Sequence, residues 1–163
     1  MFNHTARALA AGALGGLLAT GPMTVVMLAM HRLLPPGEQY PLPPRLITEA
    51  VAAHTEAVAA HTEAVAARSG DEPAAHSESS KRAATWLAHF GFGASAGSLY
   101  PFTTGRLRLP PALRGVLFGL LVWAGSYLGW LPALDILPPA TRTPLRRNAL
   151  MIAAHLVWGA AIA

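Results

Sequence analysis

Four long stretches of the chain are almost free of charge, and short connections rich in proline, arginine and small polar residues separate them. Residues 8–30 run 23 positions without a charge. At about 1.5 Å of rise per residue, that is enough to cross roughly 30 Å of hydrocarbon as one helix. Arg7 before this run gives it the look of a secretory leader, but the run is longer than a leader's apolar core and continues through Pro22 to Met30. Residues 83–102 form a second, less apolar stretch rich in Gly and Ser, which needs neighbours packed on its small residues. Residues 116–134 are strongly apolar, with Trp123, Tyr127 and Trp130 towards the far end, where aromatic rings favour the headgroup level. A fourth stretch, 144–163, reaches spanning length if Pro144 opens the helix, a position proline tolerates well. Arg146 and Arg147 then stand at the lipid phosphates. The pattern predicts an all-α integral membrane four-helix bundle.

A polar interval between the first two stretches holds one heptad written three times, TEAVAAHTEAVAAHTEAVAAR at 48–68. Alanine-rich heptads are strong helix formers, so 46–68 is expected to form an extramembrane helix, with Glu49, Glu56 and Glu63 keeping it in water. His54 and His61 stand seven apart, about 10.5 Å along a helix axis, whereas two ligands of one ion need a spacing of three or four. No metal site follows. Val51, Val58 and Val65 give one apolar row instead of the two a coiled coil uses. Residues 69–82, SGDEPAAHSESSKR, read as a polar linker.

A subtler repeat relates the two halves. GALGGLL at 12–18 matches GVLFGLL at 115–121, and LPPGEQYPL at 34–42 matches LPPATRTPL at 137–145, both at an offset of 103. AHFGFG at 88–93 echoes AHLVWG at 154–159. The reading is a duplicated helical hairpin, two parallel repeats about an axis along the membrane normal. The loops after the first and third stretches then share a side, which holds all eight carboxylates and eight of the twelve Lys and Arg residues. Arg7, Arg106, Arg108 and Arg114 occupy the other side, and basic residues alone leave the orientation open.

Composition agrees with the pattern. Charged residues make up 12% of the chain and apolar residues 53%, too little polarity to wet an ordinary soluble surface. The chain has no cysteine, which removes disulfides and thiolate chemistry. Its formal charge of +4 sits on arginines beside apolar runs, so the partner it implies is the lipid bilayer and not nucleic acid.

Candidate chemistry is confined to histidine. His89 lies seven residues after Arg82 and His155 eight after Arg147, so both imidazoles are expected about 10–12 Å inside the same face, with His31 near that leaflet. An ionisable group at such depth faces protein or water and raises a functional hypothesis. Three readings stand together: imidazoles hydrogen-bonded between helices, a proton or ion path, and paired ligation of haem or metal. No third ligand accompanies the last, and no cofactor or metal is expected. Gly12 and Gly16, Gly93 and Gly97, Gly115 and Gly119, and Gly125 and Gly129 each place two small residues one turn apart, as close helix packing requires. No GxSxG, HExxH or phosphate-binding glycine loop is present, and no catalytic residue is assigned.

The order YPLPPR (40–45), AHFGFGASAGSLY (88–100), VWAGSYLGWLPALDILPP (122–139) and RRNALMIAAHLVWG (146–159) resembles the YagU-like family of small bacterial inner-membrane proteins of unknown function. The resemblance implies a multi-pass helical protein of the inner membrane and supplies no binding residues. The expected role is structural or interactive, with assembly through the glycine faces, as a homo-oligomer or with a membrane partner protein. The alternative is a small transporter or proton-conducting element using His89 and His155, and a haem or metal subunit comes third.

Overall fold

The computed structural model describes residues 2–66 and 78–163, and no strand occurs among them. Five long helices occur among the described residues. They are α1 (Phe2–Arg32), α2 (Pro43–Ala66), α3 (Glu78–Thr104), α4 (Pro111–Ala133) and α5 (Leu145–Ile162). The far end of the expected heptad helix and most of the expected 69–82 linker lie outside the described residues. The chain divides into one unit of Met1–Tyr40 with His89–Ala163 and a second of Pro41–Ala88.

The second unit contains α2, which starts three residues earlier than the heptad pattern suggests because Pro43 and Pro44 have the φ a first helical turn needs. Residues 51–57 are exposed all round, Val51 included, so this part of α2 buries no face. Its ties are polar. Arg45 pairs with Glu49 at 2.6 Å and with Glu78 at 3.3 Å. The Glu49 hydrogen bond and charge, followed by the Glu78 charge, push the Arg45 guanidinium further above its ordinary pKa.

In the first unit the helices run antiparallel and meet through glycine. A Cβ built on Gly97 would lie 2.6 Å from Gly16 Cα, and one on Gly12 would reach Pro101 Cδ at 3.0 Å, so α1 and α3 touch backbone to backbone. Helices α4 and α5 do the same. A Cβ on Gly159 would lie 3.0 Å from Gly119 Cα, and one on Gly115 would meet Ala163 Cβ at 2.8 Å. Such distances leave no room for any side chain but hydrogen. Trp158 on α5 donates its Nε1–H to the Gly16 carbonyl at 3.1 Å, which ties α5 to α1. Tyr100 and Phe118 meet edge to face at 5.3 Å, and Phe92 approaches Trp130 at 6.1 Å, which ties α3 to α4.

Gly125 and Gly129 do not join these contacts. Nothing lies within 4 Å of a Cβ on Gly125, and a Cβ on Gly129 would meet only the Ala124 carbonyl, at 4.0 Å. Six residues beyond Gly119, at about 100° each, carry Gly125 round to another face of α4. Both glycines lie instead in a π-helical turn, Gly125–Trp130, in which Leu131 N–H bonds back to the Ser126 carbonyl and Gly129 departs from helical geometry at φ −108°, ψ −106°. Helix α4 then ends in a Schellman motif: Asp135 N–H bonds to the Pro132 carbonyl at 3.2 Å and Ile136 N–H to that of Leu131 at 3.0 Å. Asp135 takes the left-handed conformation this motif demands, with φ 53°.

Among the described residues two helices, His4–Arg32 and Pro111–Ala133, are long and apolar enough to cross a membrane. The Gly, Ser and Thr residues of α3 and the Arg146-Arg147-Asn148 opening of the 18-residue α5 keep the other two expected spans below that measure.

Candidate polar site between the helices

Small and polar residues occupy the inward face of α1: Gly12, Gly16, Ala19, Thr20, Met23, Thr24 and Met27 are buried at helical spacing. The two threonines bond back along their own helix, Thr20 Oγ1 to the Gly16 carbonyl at 2.8 Å and Thr24 Oγ1 to the Thr20 carbonyl at 2.7 Å. A threonine hydroxyl has one proton, and Thr24 has given it to Thr20. The 3.1 Å contact between Thr24 Oγ1 and His89 Nε2 therefore runs from the imidazole N–H to the hydroxyl oxygen, which makes neutral His89 the Nε2–H tautomer.

His155, 5% exposed, is fixed the opposite way round. Its Nδ1 lies 2.7 Å from the Met151 carbonyl, which can only accept, so Nδ1 carries the proton and Nε2 the lone pair. Tyr127 meets the His155 ring edge-on at 5.9 Å and stacks on Trp123 at 6.4 Å. Tyr127 lies in the π-helical turn, a local widening that recurs where helices carry functional side chains. Four helices thus contribute to two polar pairs, Thr24 beside His89 and Tyr127 beside His155.

Arg147 departs from expectation. It is 4% exposed and turned inward, not out to lipid phosphate: its guanidinium donates to the carbonyls of Glu38 at 2.7 Å and Tyr40 at 2.9 Å and lies 3.5 Å from the centroid of the Tyr40 ring. The Pro-rich loop after α1 brings these acceptors over the start of α5. A charged donor on two carbonyls makes a stronger tie than a neutral pair. His31 Nε2 reaches the same Tyr40 carbonyl at 3.1 Å, so it belongs to this loop latch and not to the inner pairs.

The sequence reading named His89, His155 and His31 and missed Thr24, Tyr127 and Tyr40. Thr20 and Thr24, four apart in an uncharged run, were a usable signal, since they mark one polar face. The offset of 103 also carries Thr24 onto Tyr127, just as the second echo carries His89 onto His155. Among the described residues no three His, Asp or Glu side chains gather as a metal centre needs. What these residues supply is one hydroxyl–imidazole hydrogen bond, between Thr24 and His89, inside a helical protein with lipid-length apolar segments.

That class of protein matches one family. The chain belongs to a family of proteins of unknown function, DUF1440, whose sequence profile matches residues 33–163. No curated protein and no solved structure matches it.

Proposed function

We propose that the chain is a multi-pass protein of the bacterial inner membrane, with α1, α3, α4 and α5 as its four spans, and that its role is structural or interactive. One observation carries the reading: the two most apolar helices turn large aliphatic side chains outward. Leu14, Leu18, Val25, Leu117, Leu121 and Leu128 are exposed, while Gly12, Gly16, Thr20 and Thr24 of α1 and Gly115 and Gly119 of α4 are buried beside Met23, Met27 and Phe118. In the two most apolar segments only 33% and 22% of the residues are buried, far less than in the core helix of a soluble protein. Packing by small residues is what helices use where lipid removes the hydrophobic drive between them. The YagU-like resemblance and the duplicated hairpin belong to the same reading. Washing membranes with alkaline carbonate tests it: the protein is expected in the pellet, and release into the supernatant would overturn the proposal.

The imidazole hydrogen bonds favour a structural part for the histidines, since each N–H is committed to a neighbour. The glycine faces serve the chain's own assembly, so a homo-oligomer or a partner protein would use other surfaces. A second reading, a proton-conducting or small transport element, draws on the hydrogen bond between Thr24 and His89 and on the edge-on contact of Tyr127 with the His155 ring. Proton flux in liposomes separates the two. Equal flux with wild type and with the His89→Ala, His155→Ala double variant favours the structural reading, and flux lost in the variant favours conduction. For metal ligation, no group of three His, Asp or Glu side chains gathers among the described residues to support it.

A further inference from the structure

We propose that the end of the molecule formed by the start of α1, the end of α3 and the start of α4 binds the phosphate of an anionic lipid, with Arg114 and Tyr100 as its inner donors. The proposal rests on the membrane reading above. The glycine contacts set the level: Gly12 meets Gly97 and Pro101, and Gly115 meets Gly159 and Ala163, so Arg7, Arg106, Arg108 and Arg114 all lie at this one end. No Asp or Glu occurs before Glu38 or between residues 83 and 134, so no carboxylate of those segments can balance the four charges. All three ion pairs among the described residues involve Arg45 or Glu78, in the other unit.

Two donors make this more than a basic surface. Arg114 Nε and Tyr100 Oη are both buried and have no hydrogen-bond partner. Both belong to the seam of α3 and α4: the Tyr100 ring packs edge-on against Phe118, and Arg114 precedes Phe118 by one turn on the same face of α4. A guanidinium and a phenol can donate together to the oxygens of one phosphate, which only accept. Apolar side chains border the seam on one side. Leu113 and Leu117, 44% and 43% exposed, lie together on one side of Arg114 round the helix, a surface suited to acyl chains and unsuited to a free ion. Arg106 and Arg108, both exposed, complete the rim.

The test uses full-length protein in detergent, titrated with phosphatidylglycerol, phosphatidylcholine or inorganic phosphate, with bound lipid counted by native mass spectrometry and stability read from the melting midpoint. Phosphatidylglycerol is expected to be retained and to raise the midpoint. Arg114→Gln and Tyr100→Phe are each expected to weaken its retention, the first by about tenfold, while Arg45→Gln leaves it unchanged. If Arg114→Gln does not fold, the exposed pair Arg106→Gln, Arg108→Gln replaces it and is expected to weaken retention and its salt dependence. Equal retention of phosphatidylglycerol and phosphatidylcholine, unchanged retention in the variants, or inorganic phosphate bound as tightly as the lipid would each overturn the site. A protein that stays in carbonate-washed membranes but shows any of these results leaves the membrane reading standing and removes the lipid site alone.

Discussion

Gly16 shows how much one residue can be asked to do. Its carbonyl accepts both Thr20 Oγ1 and Trp158 Nε1, and its Cα lies against Gly97. Three helices meet where no Cβ stands, which is why the two-glycine spacing was readable as packing from the sequence. The same spacing misled at Gly125 and Gly129, because spacing alone does not say which face of α4 is covered. The difference is measurable. Gly119→Ala would push a methyl group into the His155 backbone and is expected to destabilise the protein by about 1–3 kcal/mol. Gly125→Ala enters open space and is expected to stabilise it by about 0.5–1 kcal/mol through the helix preference of alanine. Melting curves in detergent check both, and midpoints that move together would count against close α4–α5 packing. Asp135 offers a third case. At φ 53° it occupies a position that glycine fills without strain, so Asp135→Gly is expected to gain about 1 kcal/mol, and Asp135→Val to lose at least as much. A lower midpoint for the glycine variant would show that the Asp135 carboxylate holds the loop by other means.

At the scale of elements, helix existence was legible and helix register was not. Apolar runs and proline positions pointed to α1, α3, α4 and α5, because long apolar runs and Pro-opened helices leave strong marks, but α1, α3 and α4 each begin five or six residues before the apolar run does. The π-helical turn left none, since no residue pattern in GSYLGW distinguishes it from an α-helical turn. The sequence echoes between the two halves are similarly mixed. Gly16 meets the backbone of Gly93 and Gly97, and Gly119 meets that of His155 and Gly159, so the α3-to-α5 correspondence by packing is 62 residues. The echo of AHFGFG in AHLVWG gives 66, one helical turn away. A turn of slip keeps the same face, so the threonine and tyrosine partners still stand beside their histidines. The heptads behave differently, for their identity makes the helix phase-invariant. Deleting residues 48–61 brings Thr62 and Glu63 to the places of Thr48 and Glu49, which preserves the spacing of Arg45 to a glutamate four residues on. Loop-closure entropy changes only logarithmically with such a deletion. Expression, membrane insertion and melting midpoint are therefore expected to stay within about 0.5 kcal/mol of the parent. A marked fall in any of them would show that α2 has a docking role its exposed described residues do not reveal.

For the whole molecule, the antiparallel helix contacts and the absence of cysteine permit a direct test of how the chain crosses the membrane. If α1, α3, α4 and α5 each span, Thr5 and Leu107 lie on one side and Gly37 and Thr141 on the other. All four positions are exposed, and a Cβ at Gly37 meets nothing within 4 Å, so single cysteines there leave the packing intact. In sealed vesicles of one orientation, a membrane-impermeant maleimide is expected to label one pair at once and the other only after permeabilisation. The identity of the first pair fixes the orientation, which eight basic residues against four leave undecided because part of that excess lies in the long interval 33–82, away from the helix ends. Were Thr5 and Gly37 labelled together, α1 would not cross. Were Leu107 and Thr141 labelled together, α4 would not cross, and the outward leucines of that helix would have to be covered by protein instead of lipid.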